Sequence, residues 1–264
     1  MKLIYLSQDH CHKETLLKID SNVPVFTTPE AAKVIKSWQH FRTVITVQEF
    51  GSLGDTDWRS TSISPLPSWI GISRLLQRID VLNYHSALMI TFNNQHASSV
   101  SKLDRPWSGA SHRHKPIEPD EDEEVGEAVI YTPHGINSGD LELVPGASPP
   151  IRTLAFLHGL HNVRIGTVSG RTALQLNLGA MNGLKAQRVL KAKYWMGTHD
   201  EVKKGGGLVA WFLQRKVLTL KYALDLEQQT RQAGGVSGEM ERILDSFEDT
   251  RWIELGNGES RLLA

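Results

Sequence analysis

The chain has 264 residues, of which 40% are hydrophobic and 22% charged, and its 29 Lys and Arg residues balance 29 Asp and Glu residues. This composition is ordinary for a globular protein, and zero net charge argues against a broad nucleic-acid footprint or an anionic membrane surface as partner. The single cysteine, Cys11, excludes an intrachain disulfide and fits a reducing compartment. No apolar run has the length of a membrane span and no secretory signal is recognisable, so the sequence predicts a cytoplasmic protein.

The first fifty residues alternate between strand and helix patterns. Strands are predicted at residues 3–6, 23–26 and 43–47, and a helix at residues 12–19. A second helix begins at Thr28-Pro29-Glu30, where a capping hydroxyl, a proline in the first turn and an acid near the positive end of the helix dipole follow one another. This alternation favours an α/β layer architecture.

The rest of the chain is divided by a polar stretch. Further strands are predicted at residues 86–92, 127–132, 151–157 and 194–197, and helices at residues 181–192, 219–231 and 238–247. Residues 61–67 are strand-like but broken by prolines. Residues 98–125 carry five consecutive acids, Asp120 to Glu124, without a helix or strand period, which predicts a flexible acidic insertion outside the core. We therefore expect one domain over residues 1–204 and a C-terminal helical extension over residues 205–264 packed on it.

Histidines at strand ends are the best candidates for chemistry. Five of the 11 histidines follow a predicted strand or lie in the turn after one: His10, His134, His158, His161 and His199. Turns that follow parallel strands gather at one edge of a sheet, where they can form a pocket. Asp9 adds a carboxylate beside His10, and imidazole with carboxylate suits zinc. His40, His85 and His96 have no convergent partner in the sequence and are interpreted as structural.

Four segments, taken in order, resemble motifs of the metallo-β-lactamase-fold hydrolases, in a phospholipase-like and lactonase-like branch of fungal type. Asp9-His10, between a strand and a helix, resembles the second half of the His-x-His-x-Asp-His motif. Residues 65–92 are similar to the second histidine motif, residues 128–135 to the strand that ends in Gly-Asp-Thr, and residues 184–199 to the last histidine motif. The resemblance covers residues 1–200.

The resemblance implies a four-layer αββα sandwich over residues 1–204 that lacks the first strands of one sheet. In the family those strands precede the first motif, so the sequence is consistent with a fragment, a spliced form or a truncated gene product. A sheet that lacks edge strands exposes unpaired backbone groups. This predicts a homo-oligomer that pairs through the exposed edge.

The resemblance also implies a two-metal site, from which this sequence departs. Tyr5 and Ser7 stand where the family has histidines, Ser68 stands for the histidine of the second motif, and His134 stands for the bridging Asp. The implied site holds at most one zinc ion, with Asp9, His10, His134 and His199 as ligands. Four such ligands would fill a tetrahedral shell and leave no position for a catalytic water. The site is therefore catalytic only if one of the four does not coordinate the ion or the ion is five-coordinate.

The implied function is metal-dependent hydrolysis of an ester, lactone or phosphodiester bond in a small-molecule substrate, with no nucleic-acid partner. His158 or His161 would orient the substrate or transfer a proton. Two alternatives remain open at this point. The first is a catalytically inactive family member that acts as a binding protein, and the second is an incomplete fragment without activity. Metal content separates the hydrolase from both alternatives, and thermal stability separates the alternatives from each other.

Overall fold

A computed structural model describes residues 2–4, 11–80, 84–93, 125–198, 200, 211–233, 250–253, 255 and 258–263. Within these residues the chain forms thirteen strands in three sheets and four α-helices, which confirms the predicted α/β class. The predicted helix at residues 238–247 lies outside the described residues, as does all of the predicted acidic insertion except residue 125.

A small parallel sheet contains the N-terminal elements. Its strands are β1 (Lys2–Ile4), β2 (Val25–Thr27) and β3 (Val44–Thr46), in that order, with helices α1 (Lys13–Leu16) and α2 (Pro29–Ser37) as connections. The Thr28 hydroxyl accepts a hydrogen bond from the backbone N–H of Ala31 at 3.3 Å, which confirms the predicted helix start. Helix α1 is shorter than the predicted helix at residues 12–19.

A seven-stranded mixed sheet forms the centre of the protein. Its strands are β4 (Gln48–Glu49), β5 (Ile70–Leu76), β6 (Ser86–Phe92), β7 (Gly126–Thr132), β8 (Ile151–His158), β11 (Tyr194–Met196) and β13 (Arg251–Ile253), in the order β13-β11-β8-β7-β6-β5-β4. Strands β7, β8, β11 and β13 are parallel, and β6 is antiparallel to both of its neighbours. The strand-like residues 61–67 form no strand, because Pro65 and Pro67 cannot donate ladder hydrogen bonds, and β5 starts only at Ile70.

A second small sheet was not predicted. It consists of β9 (Asn162–Gly166), β10 (Thr172–Leu178) and β12 (Leu213–Lys216), with β9 in the middle and antiparallel to both neighbours. Two further helices are α3 (Gly179–Leu190) and α4 (Leu220–Ala233). In the part of the chain that the structure describes, none of the helices is both long and apolar enough to cross a membrane.

Four apolar clusters hold the described elements together, and three of them connect the successive layers. In the first cluster, Leu16 and Ile35 of the N-terminal helices pack with Val25 of β2. In the second, Phe26 on the opposite face of β2 packs with Ile72 and Leu88 of the seven-stranded sheet. The third and largest cluster lies on the other face of that sheet and contains Met89, Ile130, Phe156, Trp195, Leu184 of α3 and Ala223 of α4. Adjacent residues Leu88 and Met89 enter different clusters because successive strand side chains point to opposite faces.

Candidate functional site

The carboxyl ends of three parallel strands bring polar side chains to one edge of the seven-stranded sheet. Thr132, the last residue of β7, pairs with His158 at the end of β8, and Met196 of β11 pairs with Leu157. His158 ends β8, and the turns after the three strands carry His134, His161 and Asp200. We call these four residues the strand-end site. The turns are in close contact, because a Cβ on Gly159 would lie 2.8 Å from the carbonyl oxygen of Thr198 and 3.7 Å from that of Pro133.

His134 is held by β10, which forms an antiparallel hairpin with β9. Its Nδ1 donates a hydrogen bond to Oδ1 of the buried Asn177 at 2.8 Å, and its carbonyl oxygen accepts one from the N–H of Leu178 at 3.0 Å. The proton on Nδ1 leaves the lone pair of the neutral ring on Nε2. Histidines that bind metals are oriented by such a hydrogen bond from the second ring nitrogen.

His85 reaches the same hairpin. The ring donates from Nε2 to the carbonyl oxygen of Gln175 at 3.2 Å, and the backbone N–H of His85 donates to the Asp80 carboxylate. His85 is buried, and its Nδ1 has no hydrogen-bond partner among the described residues. These contacts agree with the structural role that the sequence suggested for His85, because its ring bonds to a backbone carbonyl oxygen on a strand that was not predicted.

His158 is the most enclosed residue of the site, with 1% of its surface exposed. A Cβ on Gly135 would lie 3.0 Å from its Nε2, and a Cβ on Gly183 of α3 would lie 3.0 Å from its Nδ1. The rings of Phe156 and Trp195 lie 5.2 Å and 6.1 Å from its ring, measured between centroids. Neither ring nitrogen has a hydrogen-bond partner in the described part of the chain.

Burial controls the charge of His158. Desolvation lowers the pKa of its imidazole from 6.5 to about 4, and the backbone of Gly159 has a smaller opposing effect. The ring is therefore neutral near pH 7, and it contacts aromatic and glycine neighbours instead of solvent.

His161 and Asp200 form a polar cluster in the next turn. The Asp200 carboxylate accepts hydrogen bonds from the backbone N–H of Leu160 at 2.8 and 2.9 Å and from that of His161 at 2.8 Å. Arg215 of β12 lies 3.3 Å from Nδ1 of His161 through its Nη1, whereas the nearer Asp200 oxygen lies 4.0 Å from the same nitrogen. The Arg215 contact is the ring's hydrogen bond, since 4.0 Å exceeds hydrogen-bonding distance.

The predicted zinc ligands are only partly described. Asp9, His10 and His199 lie outside the described residues, so His134 is the one predicted ligand whose surroundings are visible. Within the described ranges, no three His, Cys, Asp or Glu side chains are grouped as a metal ion would require. The ligand set and the catalytic roles of His158 and His161 therefore stay predictions.

Ser68 lies away from the strand-end site. It precedes β5, whose first residue, Ile70, pairs with Phe92, and Phe92 pairs with Glu127 near the start of β7. Ser68 is therefore at the amino edge of β7 and β8, whereas His134 is at their carboxyl edge. The predicted equivalence of Ser68 with a ligand beside His134 is wrong.

Sequence reasoning assigned no role to Asp200, Asn177 or Arg215. Asp200 follows the predicted strand at residues 194–197, so the rule that selected the histidines could also have selected this carboxylate. Asn177 and Arg215 carry no such signal, because they lie on β10 and β12 and meet the site only through tertiary pairing.

In comparisons with known proteins, no family model, no curated protein and no solved structure matches the chain. The chemistry of the site's own residues is therefore what supports a function.

Proposed function

We propose that the protein is a hydrolase of metallo-β-lactamase type that cleaves an ester, lactone or phosphodiester bond with a single zinc ion. The observation that carries the proposal is the convergence of His134, His158, His161 and Asp200 at the carboxyl edge of β7, β8 and β11. Ligand sites of open α/β sheets lie at this edge, because the loops there are free to carry polar groups while the strands keep them in place.

The packing of the sheets supports the finer architecture. The three apolar clusters follow one another from helices to the small parallel sheet, to the seven-stranded sheet, and to helices α3 and α4. This sequence of contacts is the one that an αββα sandwich requires, and we propose that fold for the protein. The exposed edge of such a sandwich remains our proposed surface for a homo-oligomer.

His134 fits a zinc ligand. Its Nδ1–H bond to Asn177 directs the lone pair of the ring to Nε2, the nitrogen that a metal needs. We propose Asp9, His10 and His199 as the remaining ligands. Zinc bound there would lower the pKa of a coordinated water to about 7, which supplies hydroxide at neutral pH.

His161 suits the substrate-orienting role better than His158. Arg215 is always protonated and donates to Nδ1 of His161, so the proton of the neutral ring is on Nε2. An Nε2–H group can donate a hydrogen bond to a substrate oxygen that gains negative charge. His158 is enclosed by the core and is neutral, so we propose that it supports the turn and does not contact the substrate.

Metal content is the first test. Purified full-length protein, supplied with zinc and desalted, is expected to retain close to one zinc per chain by elemental mass spectrometry. His134→Ala should weaken zinc binding by roughly 10-fold or more. The matched control is His12→Ala, because His12 is exposed and its ring bonds only to Thr15 among the described residues.

Two results would contradict the proposal. The first is wild-type protein without retained zinc and without hydrolysis of any of a set of model esters, lactones and phosphodiesters. The second is equal zinc affinity in His134→Ala and His12→Ala, which would remove His134 from the site.

A further inference from the structure

The carboxylate of Asp200 joins two turns of the strand-end site. It follows β11 in the chain, but its oxygens accept hydrogen bonds from the N–H groups of Leu160 and His161 in the turn after β8, at 2.8 to 2.9 Å. Bonds from backbone N–H groups to an ionised carboxylate are about twice as strong as neutral ones. The position of the β8 turn therefore depends on a residue that lies 40 positions further along the chain.

A glycine permits this close approach. A Cβ on Gly159 would lie 2.8 Å from the carbonyl oxygen of Thr198 and 3.3 Å from Oδ1 of Asp200. Any larger residue at position 159 would force the two turns apart. The contact between Asp200 and the β8 turn therefore requires glycine at position 159.

The same contact fixes the imidazole of His161. The His161 backbone is held by Asp200, and its Nδ1 lies 3.3 Å from Nη1 of Arg215. The guanidinium can only donate, so Nδ1 is the acceptor and Nε2 carries the proton. Asp200 holds the backbone of residue 161 on one side, and the pairing of Asn162 with Lys216 holds the next residue beside β12, so the two together set the distance from this ring to Arg215.

We propose that Asp200 is a positioning residue that holds His161 in the Nε2–H tautomer by anchoring the turn of Leu160 and His161. Arg215 selects the tautomer, and Asp200 keeps the ring within reach of Arg215. The functional consequence, a fixed donor aimed at a substrate oxygen, rests on the proposed hydrolase function. The positioning itself does not depend on zinc or on substrate.

Nuclear magnetic resonance of the ¹⁵N-labelled full chain tests the proposal. At about pH 8 the ring nitrogens of His161 are expected to show a single tautomer, with the proton on Nε2. In Asp200→Ala both tautomers should be populated, and hydrogen exchange of the His161 amide should accelerate by about tenfold or more, as expected for loss of a charge-assisted bond.

Chemical rescue separates positioning from general stability. Formate is small enough to replace the deleted carboxylate, so it should restore the single tautomer and the slow amide exchange in Asp200→Ala. Sodium chloride at equal ionic strength should not. Asp225→Ala is the matched control, because Asp225 is an exposed aspartate on α4, and it should leave the His161 signals unchanged.

Asp200→Asn covers the case in which Asp200→Ala does not fold. It keeps the shape and one acceptor oxygen, so it should fold and show faster exchange of the His161 amide than wild type. A wild-type spectrum with Nδ1–H, or an unchanged single tautomer and amide exchange in Asp200→Ala or in Asp200→Asn, would overturn the proposal. Zinc titration of the same wild-type sample tests the hydrolase function separately, so a failure of one is not a failure of the other.

Discussion

The histidine that ends β8 and the histidine in the turn after it are held in opposite ways. His158 and His161 are both buried, with 1% and 7% of their surfaces exposed. The His158 ring is enclosed by packing, and neither of its nitrogens bonds to another described residue. His161 has polar partners on both its backbone and its ring, supplied by Asp200 and Arg215.

The difference shows that burial of a histidine does not reveal its role. A buried polar group without a hydrogen bond is costly, so the His158 site is tolerated only while the ring stays neutral. His161 pairs its polar atoms with charged groups, which keeps a defined proton in place. Packing therefore determines the protonation state of His158, whereas polar contacts determine the tautomer of His161.

Gly183→Ala, which fills the space beside His158, should have the largest effect on the free energy of unfolding. A Cβ on Gly183 would lie 2.4 Å from Cζ2 of Trp195 and 3.0 Å from Nδ1 of His158, so Gly183→Ala forces rigid core rings apart. We expect the free energy of unfolding to fall by about 2 to 3 kcal/mol, as for overpacked cores. Urea denaturation at neutral pH measures this change.

Gly146→Ala is the matched control for that substitution. Its Cβ would meet no atom closer than 3.7 Å, and we expect a change within about 0.5 kcal/mol. Equal stability of Gly183→Ala and Gly146→Ala would show that α3 does not confine His158.

The next effect is the pH dependence of stability that His158 contributes. The pKa of its imidazole is about 4 in the folded protein and 6.5 as the ordinary value, so between these values the unfolded chain binds a proton that the folded protein does not. The contribution of His158 to the free energy of unfolding is therefore fully present above pH 6.5, and it is lost as the pH falls toward 4. At pH 5 the loss is about 2 kcal/mol.

His158→Leu should remove this component, so the difference in unfolding free energy between pH 7.5 and pH 5 should be smaller than in wild type by about 2 kcal/mol. His12→Gln, at an exposed position, should retain the wild-type pH dependence. Parallel pH profiles for wild type and His158→Leu would show that His158 titrates normally in the folded state.

The smallest effect on the free energy of unfolding is expected from loss of the contact between Arg215 and His161. Arg215→Leu removes the donor to Nδ1 of His161 and should lower the free energy of unfolding by about 1 kcal/mol, the net contribution of one hydrogen bond. Urea denaturation at neutral pH measures this change, and an unchanged free energy of unfolding in Arg215→Leu would show that the contact between Arg215 and His161 does not stabilise the fold.

Regular apolar patterns made the central strands predictable. The strand predicted at residues 86–92 matches β6, and those predicted at 127–132 and 151–157 match β7 and β8 within one residue. Their side chains are buried on both faces or alternate between the faces, which produces a local signal. Strand β10 does carry a period of two, with Leu174, Leu176 and Leu178 alternating with Gln175 and Asn177, so its local signal was present and missed. Strand β12, with Gln214, Arg215 and Lys216 after Leu213, carries no such pattern.

The sequence by itself determined the α/β class, the helix start at Thr28 and the strand ends that carry His134, His158 and His161, because capping and strand periodicity depend on neighbouring residues. Tertiary structure decided which of these side chains meet. His85 contacts Gln175 across 90 positions, Asp200 contacts the β8 turn across 40, and Ser68 falls on the opposite edge of the sheet. Strand pairing between distant segments fixes such contacts, and their energy depends on register and direction, which no local run of residues contains.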